Sequence, residues 1–178
     1  MYQKSTSKAF QIDSTNDLLK TGLLLLLGFF AVVLRERINI PLKIPGHHGL
    51  EFMLLFMAGK TLSHQRYAMS ISSIGASASA FLPIFHFGNA FMPVTLLLPG
   101  IIGDLILNKT GKTRYLYIFL VGGLAYSSIP LSRQVIMVLT GIPFGSLLNG
   151  LLIPFSLHFL FGALGSVAGA AVSQRFTR

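Results

Sequence analysis

Two histidines and a glutamate lie close together in NIPLKIPGHHGLEF, residues 39–52, a segment that joins two apolar stretches. Imidazole and carboxylate groups can bind a metal ion or a polar ligand, or move a proton. His47 and His48 are adjacent, so they cannot share one face of a helix, and no third residue has convincing ligand spacing. The pattern therefore favours a polar turn at Pro45 and Gly46 that leads into a helix, and we predict no metal site.

Further polar side chains flank the apolar stretches at a depth that we predict to be the outer one. The candidate substrate-binding residues at this depth are Arg35, Arg37, Asn39, Lys43, His47, His48, Glu51, Asn89, Arg133 and Asn149. Glu51 and Arg133 fall inside apolar stretches, where an ionisable group costs about 2.5–3.5 kcal/mol on insertion scales. We expect them to pair, to face a common cavity, or to reach the membrane interface by snorkelling.

Three more polar residues lie in apolar surroundings. Lys60 and Asp104 fall at matching inner depth, which favours an ion pair between two helices. His158 lies near the middle of the last apolar stretch. For this residue a hydrogen-bonded packing role is favoured over that of a ligand or a proton carrier.

The composition of the chain defines its class. Of 178 residues, 52% are hydrophobic and 11% are charged, against roughly 25% charged residues in an average soluble domain. This indicates a polytopic membrane protein with one domain. The absence of cysteine excludes disulfides and thiolate metal sites. The sequence contains no phosphate-binding loop, HExxH motif or nucleophile elbow, so we predict no enzyme and no cofactor.

Hydropathy and turn signals predict an all-α bundle of six transmembrane helices. The predicted spans are residues 18–34, 48–62, 67–85, 89–107, 115–140 and 146–173. Residues 1–17 form a polar cytoplasmic tail, and residues 18–178 form the single transmembrane domain. Span two is short for a bilayer that needs about 20 residues. A five-span arrangement, in which span two is re-entrant, therefore remains open.

The distribution of Lys and Arg predicts the orientation. The connections after spans two and four are basic, whereas those after spans three and five contain no Lys or Arg. The positive-inside rule then places both termini in the cytoplasm. RERINIPLK, residues 35–43, is an exception because it is basic and falls outside. Its excess charge is expected to attract a carboxylate or phosphate group. The net charge of +9 is assigned to topology and anionic lipid rather than to nucleic acid.

Spans three and six contain small residues at helical spacing, in SISSIGASASA and GALGSVAGAAVS. The two rows of span six are Gly162, Ser166 and Ala170, and Gly165, Gly169 and Ser173. In lipid, small residues allow helix backbones to approach closely and gain dispersion contacts. The rows indicate packing within the bundle, contact of one row with a separate partner subunit, or both, since span six carries two rows.

Three stretches, LGFFAVVLRERINIPLKIPG, FMPVTLLLPGIIGDLIL and HFLFGALGSVAGAAVSQR, together with the six-span layout, carry a family resemblance. In these the chain resembles the substrate-binding S component of an energy-coupling factor (ECF) transporter. The resemblance implies a bacterial cell-membrane protein that binds a vitamin, a precursor or, in some groups, a metal ion near the outer face. Residues 39–49 would be the lid.

The resemblance also implies partners and a mechanism. The partners are a transmembrane coupling subunit and two ATPase subunits, and the S component topples in the membrane to release its cargo. Span one departs from the family, because it has Gly22, Gly28 and Ala31 but no Ala-x-x-x-Ala row.

Two other classes remain open. A non-transporting membrane scaffold or assembly subunit would bind no small molecule. A small intramembrane enzyme acting on lipid would need a histidine with a carboxylate, and His48 and Glu51 are the candidates.

Overall fold

Most of the described chain is α-helical, and strands are absent from that part of it. The structure is a computed structural model that describes residues 14–37, 44–85, 89–110, 114–148 and 150–176. The helices in these ranges are α1 Ser14–Arg37, α2 Gly49–Ser63, α3 Ala68–Ser79, α4 Met92–Thr110, α5 Tyr115–Thr140 and α6 Leu152–Phe176. A 3₁₀ turn, Gly145–Leu147, precedes α6. The all-α prediction is confirmed, and each helix overlaps the span predicted for it.

The helices pack side by side in the spatial order α1, α3, α4, α5, α6, α2, which closes a ring because α2 also packs on α1. Successive helices run in opposite directions. Gln65, just after α2, donates to the backbone oxygen of Asp17 at the start of α1 over 3.4 Å. Lys60, near the end of α2, contacts Asp104, near the end of α4. We term this end of the bundle the Lys60 end and the opposite end the Arg133 end.

The outer surface of the bundle is apolar. Exposed side chains along the helices include Leu23, Leu26, Phe30, Leu120, Leu124 and Leu164. Within the described residues, α1, α4, α5 and α6 are the four helices long and apolar enough to cross a membrane. At 15 and 12 residues, α2 and α3 are shorter, with lengths of about 22 and 18 Å. The chain is therefore compatible with a membrane protein by both length and surface.

The third predicted span appears as a helix followed by tight turns. After α3 ends at Ser79, the N–H groups of Ala80, Phe81 and Leu82 donate to carbonyl oxygens three residues earlier. Hydrogen bonds of this 3₁₀ type pair the backbone N–H groups, and the rise per residue is greater than in an α-helix. The apolar stretch thus continues beyond α3 without unsatisfied amide groups at residues 80–82.

Both small-residue rows of α6 pack inside the chain. A Cβ on Gly165 would lie 2.5 Å from the backbone oxygen of Leu50 in α2, and one on Gly169 would overlap the oxygen of Leu54. On the other row, a Cβ on Gly162 would lie 2.5 Å from the Cβ of Tyr126 in α5. The packing interpretation is confirmed. The hypothesis that one row faces a partner subunit is wrong, because α2 and α5 already occupy these surfaces.

The rows of α3 pack on α1 in the same way. A Cβ on Gly75 would overlap the backbone oxygen of Leu25, and one on Gly28 would overlap that of Ser72. Span one therefore uses Gly28 for packing within the chain.

Candidate functional site

A cavity of about 90 Å³ lies at the Arg133 end, among α2, α4, α5 and α6. We term it the Arg133 cavity. Arg35, near the end of α1, and Arg133, in α5, bring two cations to its wall. Pro45, Gly46 and His48 line it from the turn that leads into α2. The described residues that line the cavity include no carboxylate, so the wall carries a net positive charge.

Arg133 is the least satisfied charged group of this wall. Its Nη1 donates to the Oγ of Ser146 over 3.4 Å, and its Nη2 lies 3.8 Å from the sulfur of Met92. The guanidinium carbon lies 5.8 Å from the centre of the Phe144 ring. Its Nε is buried without a hydrogen-bond partner. Among the described residues, a carboxylate within ion-pair distance of Arg133 is absent.

Glu51 interacts with His48 and does not pair with Arg133. One carboxylate oxygen lies 3.4 Å from the Nδ1 of His48, and the other is buried without a partner. The ring centre of His48 lies 3.9 Å from that of His47, with the two rings tilted by 40°. The Nδ1–H of His47 donates to the backbone oxygen of Ile44 over 2.7 Å. Burial, followed by the charges of His47 and Arg35, lowers the pKa of His48 to about 4. His48 is therefore neutral at neutral pH, and its ring can donate one N–H to Glu51.

Arg35 differs from Arg133 because it has a nearby carboxylate. Its Nε lies 4.0 Å from an oxygen of Glu36, and 23% of its side chain is exposed. Solvent and Glu36 thus moderate the charge of Arg35. Most of the net positive charge of the cavity wall is therefore assigned to Arg133.

Tyr126 and His158 form an aromatic wall of the cavity. Their rings stack 5.3 Å apart at 23°. The Nδ1–H of His158 donates to the oxygen of Pro154 over 2.7 Å, which leaves Nε2 as an acceptor. Gly46 has φ +86°, and a Cβ there would lie 2.7 Å from the Nδ1 of His158. His158 is thus a satisfied packing histidine, as expected, and it also lines the cavity. Only glycine allows the turn to pack so closely on it.

Five of the predicted substrate-binding residues come together here. The wall itself contains Arg35, His48 and Arg133. His47 and Glu51 contact His48.

The other predicted residues do not contribute to the described cavity. Arg37 is exposed at the end of α1. Asn89 accepts a hydrogen bond from the N–H of Phe91 over 2.8 Å, so its side chain forms a local turn just before α4. Asn39, Lys43 and Asn149 lie outside the described residues.

The sequence analysis missed three polar cavity residues, Thr95, Tyr126 and Ser146. Tyr126 had a usable signal, because a tyrosine in a span needs a partner for its hydroxyl group. Thr95 and Ser146 had none, since such hydroxyl groups commonly bond their own helix backbone. Clusters of three or more potential metal ligands are absent from the described residues.

A second polar site lies at the Lys60 end. Lys60 donates to Asp104 over 2.7 Å, to Asn108 over 3.0 Å and to the backbone oxygen of Arg66. The other oxygen of Asp104 accepts the N–H of Ser70 at the start of α3 over 2.7 Å. The predicted ion pair is confirmed. Beside it is a larger cavity of about 570 Å³, which we term the Lys60 cavity.

No protein-family model matches this chain, and neither a curated protein nor a solved structure matches it. The class of this protein is therefore described from its own fold and its two cavities. The chain is an all-helical protein with four helices able to cross a membrane, and it has a cationic cavity at one end of the bundle.

Proposed function

We propose that this chain is the substrate-binding membrane subunit of an importer, similar to the S component of ECF transporters, and that it captures a small anionic micronutrient. The proposal rests on Arg133, which lies on the cavity wall. Its Nε is buried without a hydrogen-bond partner, and it has no carboxylate partner among the described residues. A buried charge that loses its partner costs about 3–5 kcal/mol. A carboxylate or phosphate group of a ligand offsets that cost through bonds of about 1.5–3 kcal/mol each.

The size of the cavity limits how the ligand binds. Small-molecule pockets measure about 300–1,000 Å³, whereas the Arg133 cavity measures about 90 Å³. It has room for an anionic head group but not for a whole vitamin. We therefore propose that the head group binds at Arg133 and that the turn at residues 44–48 moves outward to admit the remainder.

In this proposal all six helices cross a bacterial cell membrane, and both termini are cytoplasmic. The Lys60 end is then the cytoplasmic face, because the connections at that end contain most of the Lys and Arg. A transmembrane coupling subunit and two ATPase subunits supply the energy, since the sequence has no phosphate-binding loop of its own. The ligand enters from the outer face, at the Arg133 end.

A thermal-shift screen of the purified protein tests the proposal. Carboxylated and phosphorylated micronutrients form one panel, and their neutral amide or dephosphorylated analogues form the matched panel. A ligand at 100 times its Kd stabilises the folded state by about 2.7 kcal/mol. We expect a hit among the anions alone, and Arg133→Gln should weaken its binding by about tenfold or more. Arg175→Gln, a matched change at the opposite end, should leave binding unchanged.

A ligand-free measurement separates a binding role from a scaffold role. If Arg133 awaits a ligand, Arg133→Met removes an unpaired buried charge and should raise the melting temperature of the empty protein, by about 2–4 °C per kcal/mol. If Arg133 instead supports the fold, as in a scaffold subunit, the same change should lower the melting temperature. A lower value, together with no hit in the anion panel, would contradict the proposal.

A second candidate function rests on the contact between His48 and Glu51, whose nearest atoms are 3.4 Å apart. A histidine held by a carboxylate is the pair that an intramembrane enzyme acting on lipid would need. Incubation with phospholipid vesicles and mass spectrometry of the products tests it. Turnover that His48→Asn abolishes would favour the enzyme over the importer subunit.

A further inference from the structure

The Lys60 cavity has a lining suited to an amphiphile. Its volume of about 570 Å³ falls within the range of about 300–1,000 Å³ typical of small-molecule pockets. Its apolar part is formed by Met57, Leu107 and Ile118, and its cationic part by Lys60 and Arg66. The proposed function assigns no role to this cavity.

The cations of this cavity are not equivalent. Lys60 directs its bonds to Asp104, Asn108 and the backbone oxygen of Arg66, so its charge is neutralised within the bundle. Arg66 is an exposed residue, and its guanidinium carbon lies 5.4 Å from the centre of the Tyr67 ring. Within the described ranges, a carboxylate at ion-pair distance from Arg66 is absent. Arg66 therefore contributes positive charge beside the cavity without a carboxylate to offset it in the described residues.

We infer that the Lys60 cavity binds one anionic phospholipid, with an acyl chain against the apolar lining and the phosphate group at Arg66. The inference rests on the lining of the cavity, in which an apolar surface lies next to a cationic one. A phospholipid has the matching arrangement, because its acyl chains lie next to its phosphate group. A free phosphate ion would satisfy Arg66 but leave the apolar lining in contact with water. Helix ends of a membrane bundle lie at the depth of lipid head groups, where basic interhelical pockets bind such lipids.

Native mass spectrometry of the purified full chain tests the inference. The protein is incubated in detergent with phosphatidylglycerol and phosphatidylcholine that have identical acyl chains. We expect one retained lipid, with a preference of about fivefold for phosphatidylglycerol, because its net negative charge attracts one cation, whereas choline cancels the charge of phosphatidylcholine. Arg66→Gln should remove that preference. Arg175→Gln, an exposed arginine at the same end that does not line the cavity, should preserve it.

A second variant separates the cavity from the protein surface. Thr61 lines the cavity, so Thr61→Phe should fill it and reduce retention of both lipids. Arg66→Gln should keep the fold, because Lys60 and Asn108 contact only the backbone oxygen at position 66. A melting curve of each variant verifies folding.

Three outcomes would overturn the inference. The first is equal retention of the two lipids by the wild-type protein. The second is an equal loss of preference in Arg66→Gln and Arg175→Gln, which would indicate diffuse attraction at the surface. The third is displacement of the lipid by millimolar inorganic phosphate, which would indicate a site for a soluble anion.

Discussion

The carboxylate of Asp104 connects three helices, although only 1% of its side chain is exposed. One oxygen bonds Lys60 of α2 and the other bonds the N–H of Ser70 at the start of α3, while Asp104 itself belongs to α4. A buried carboxylate is tolerated when such bonds satisfy it, and its removal leaves a buried cation without a partner. The function of this group is therefore structural.

Asp104→Ala should destabilise the protein by about 3–5 kcal/mol, the usual cost of removing one member of a buried pair. Glu36→Ala is the control, because the pair of Arg35 and Glu36 is partly exposed with its charged atoms 4.0 Å apart. That change should cost at most about 1 kcal/mol. Thermal or denaturant unfolding in detergent measures both. Equal effects would show that Asp104 does not hold the helices together.

His48 should make stability depend on pH. Its pKa in the folded protein is about 4, below the ordinary value of 6.5, because burial and then the charges of His47 and Arg35 disfavour the protonated ring. Between these values the unfolded chain binds more protons than the folded one. The stabilising effect of a neutral His48 is therefore complete above pH 6.5 and decreases as the pH falls toward 4.

Melting temperatures of the wild-type protein and of His48→Asn, measured from pH 7.5 to pH 4.5, test this dependence. We expect the wild-type protein to lose stability more steeply than the variant as the pH falls, so that the two profiles converge. Parallel profiles would mean that His48 is not protected from protonation in the folded state.

The sequence identified some residues of the sites and missed others for physical reasons. Lys60 and Asp104 were paired correctly because opposite charges at equal depth in a membrane have few other partners. For Glu51, the sequence left open a pair with Arg133, a common cavity and the interface, and it named His48 as a partner only for the enzyme alternative. The structure shows a contact with His48. Tyr126 was missed because hydropathy gives the depth of a residue but not the direction in which its side chain projects.

At the scale of helices, contact between α2 and α6 depends on glycines that leave no space for a methyl group. A Cβ on Gly165 would lie 2.5 Å from one backbone oxygen of α2 and 2.8 Å from another. Backbone atoms cannot move away as a flexible side chain can. Gly22 in α1 is the opposite case, because an added Cβ would meet no atom within 4 Å.

Gly165→Ala should therefore destabilise the protein, whereas Gly22→Ala should stabilise it by about 0.5–1 kcal/mol through the better helix propensity of alanine. The two variants make the same chemical change in two helices, so intrinsic propensity cancels between them. Thermal unfolding in detergent and the yield of monodisperse protein measure the effects. If both changes stabilise the protein, the contact between α2 and α6 is looser than described.

The positions of the helices were predictable from sequence, but details of their ends were not. Apolar runs and turn residues located all the helices in the described ranges. The prediction treated residues 67–85 as one span, whereas α3 ends at Ser79 and tight turns follow. Hydropathy cannot distinguish these forms because both present apolar side chains to lipid. Hydropathy also gives no sign that Gly49, the first residue of α2, allows close contact with Tyr126.

At the scale of the whole molecule, the two ends of the bundle should lie on opposite sides of the membrane. The chain has no cysteine, so single cysteines can report sidedness without any other change. Thr140→Cys and Ile44→Cys, at the Arg133 end, should react with a membrane-impermeant maleimide added to intact cells. Thr110→Cys and His64→Cys, at the Lys60 end, should react only after permeabilisation. Reaction of His64→Cys in intact cells would instead support a re-entrant α2 and the five-span arrangement.

The unequal lengths of the helices couple the molecule to the thickness of its bilayer. α2 and α3, which flank the 24-residue α1 in the ring, have 15 and 12 residues, whereas α5 and α6 have 26 and 25 residues. These correspond to about 18–22 Å and about 38 Å, against a hydrocarbon core of about 30 Å. Two helices are thus shorter than the core and two are longer, and such hydrophobic mismatch costs fractions of a kcal/mol per ångström. In the proposed six-span arrangement, lipid thins beside α2 and α3 or the body tilts, so we expect its resting tilt to depend on lipid chain length even when no ligand is bound.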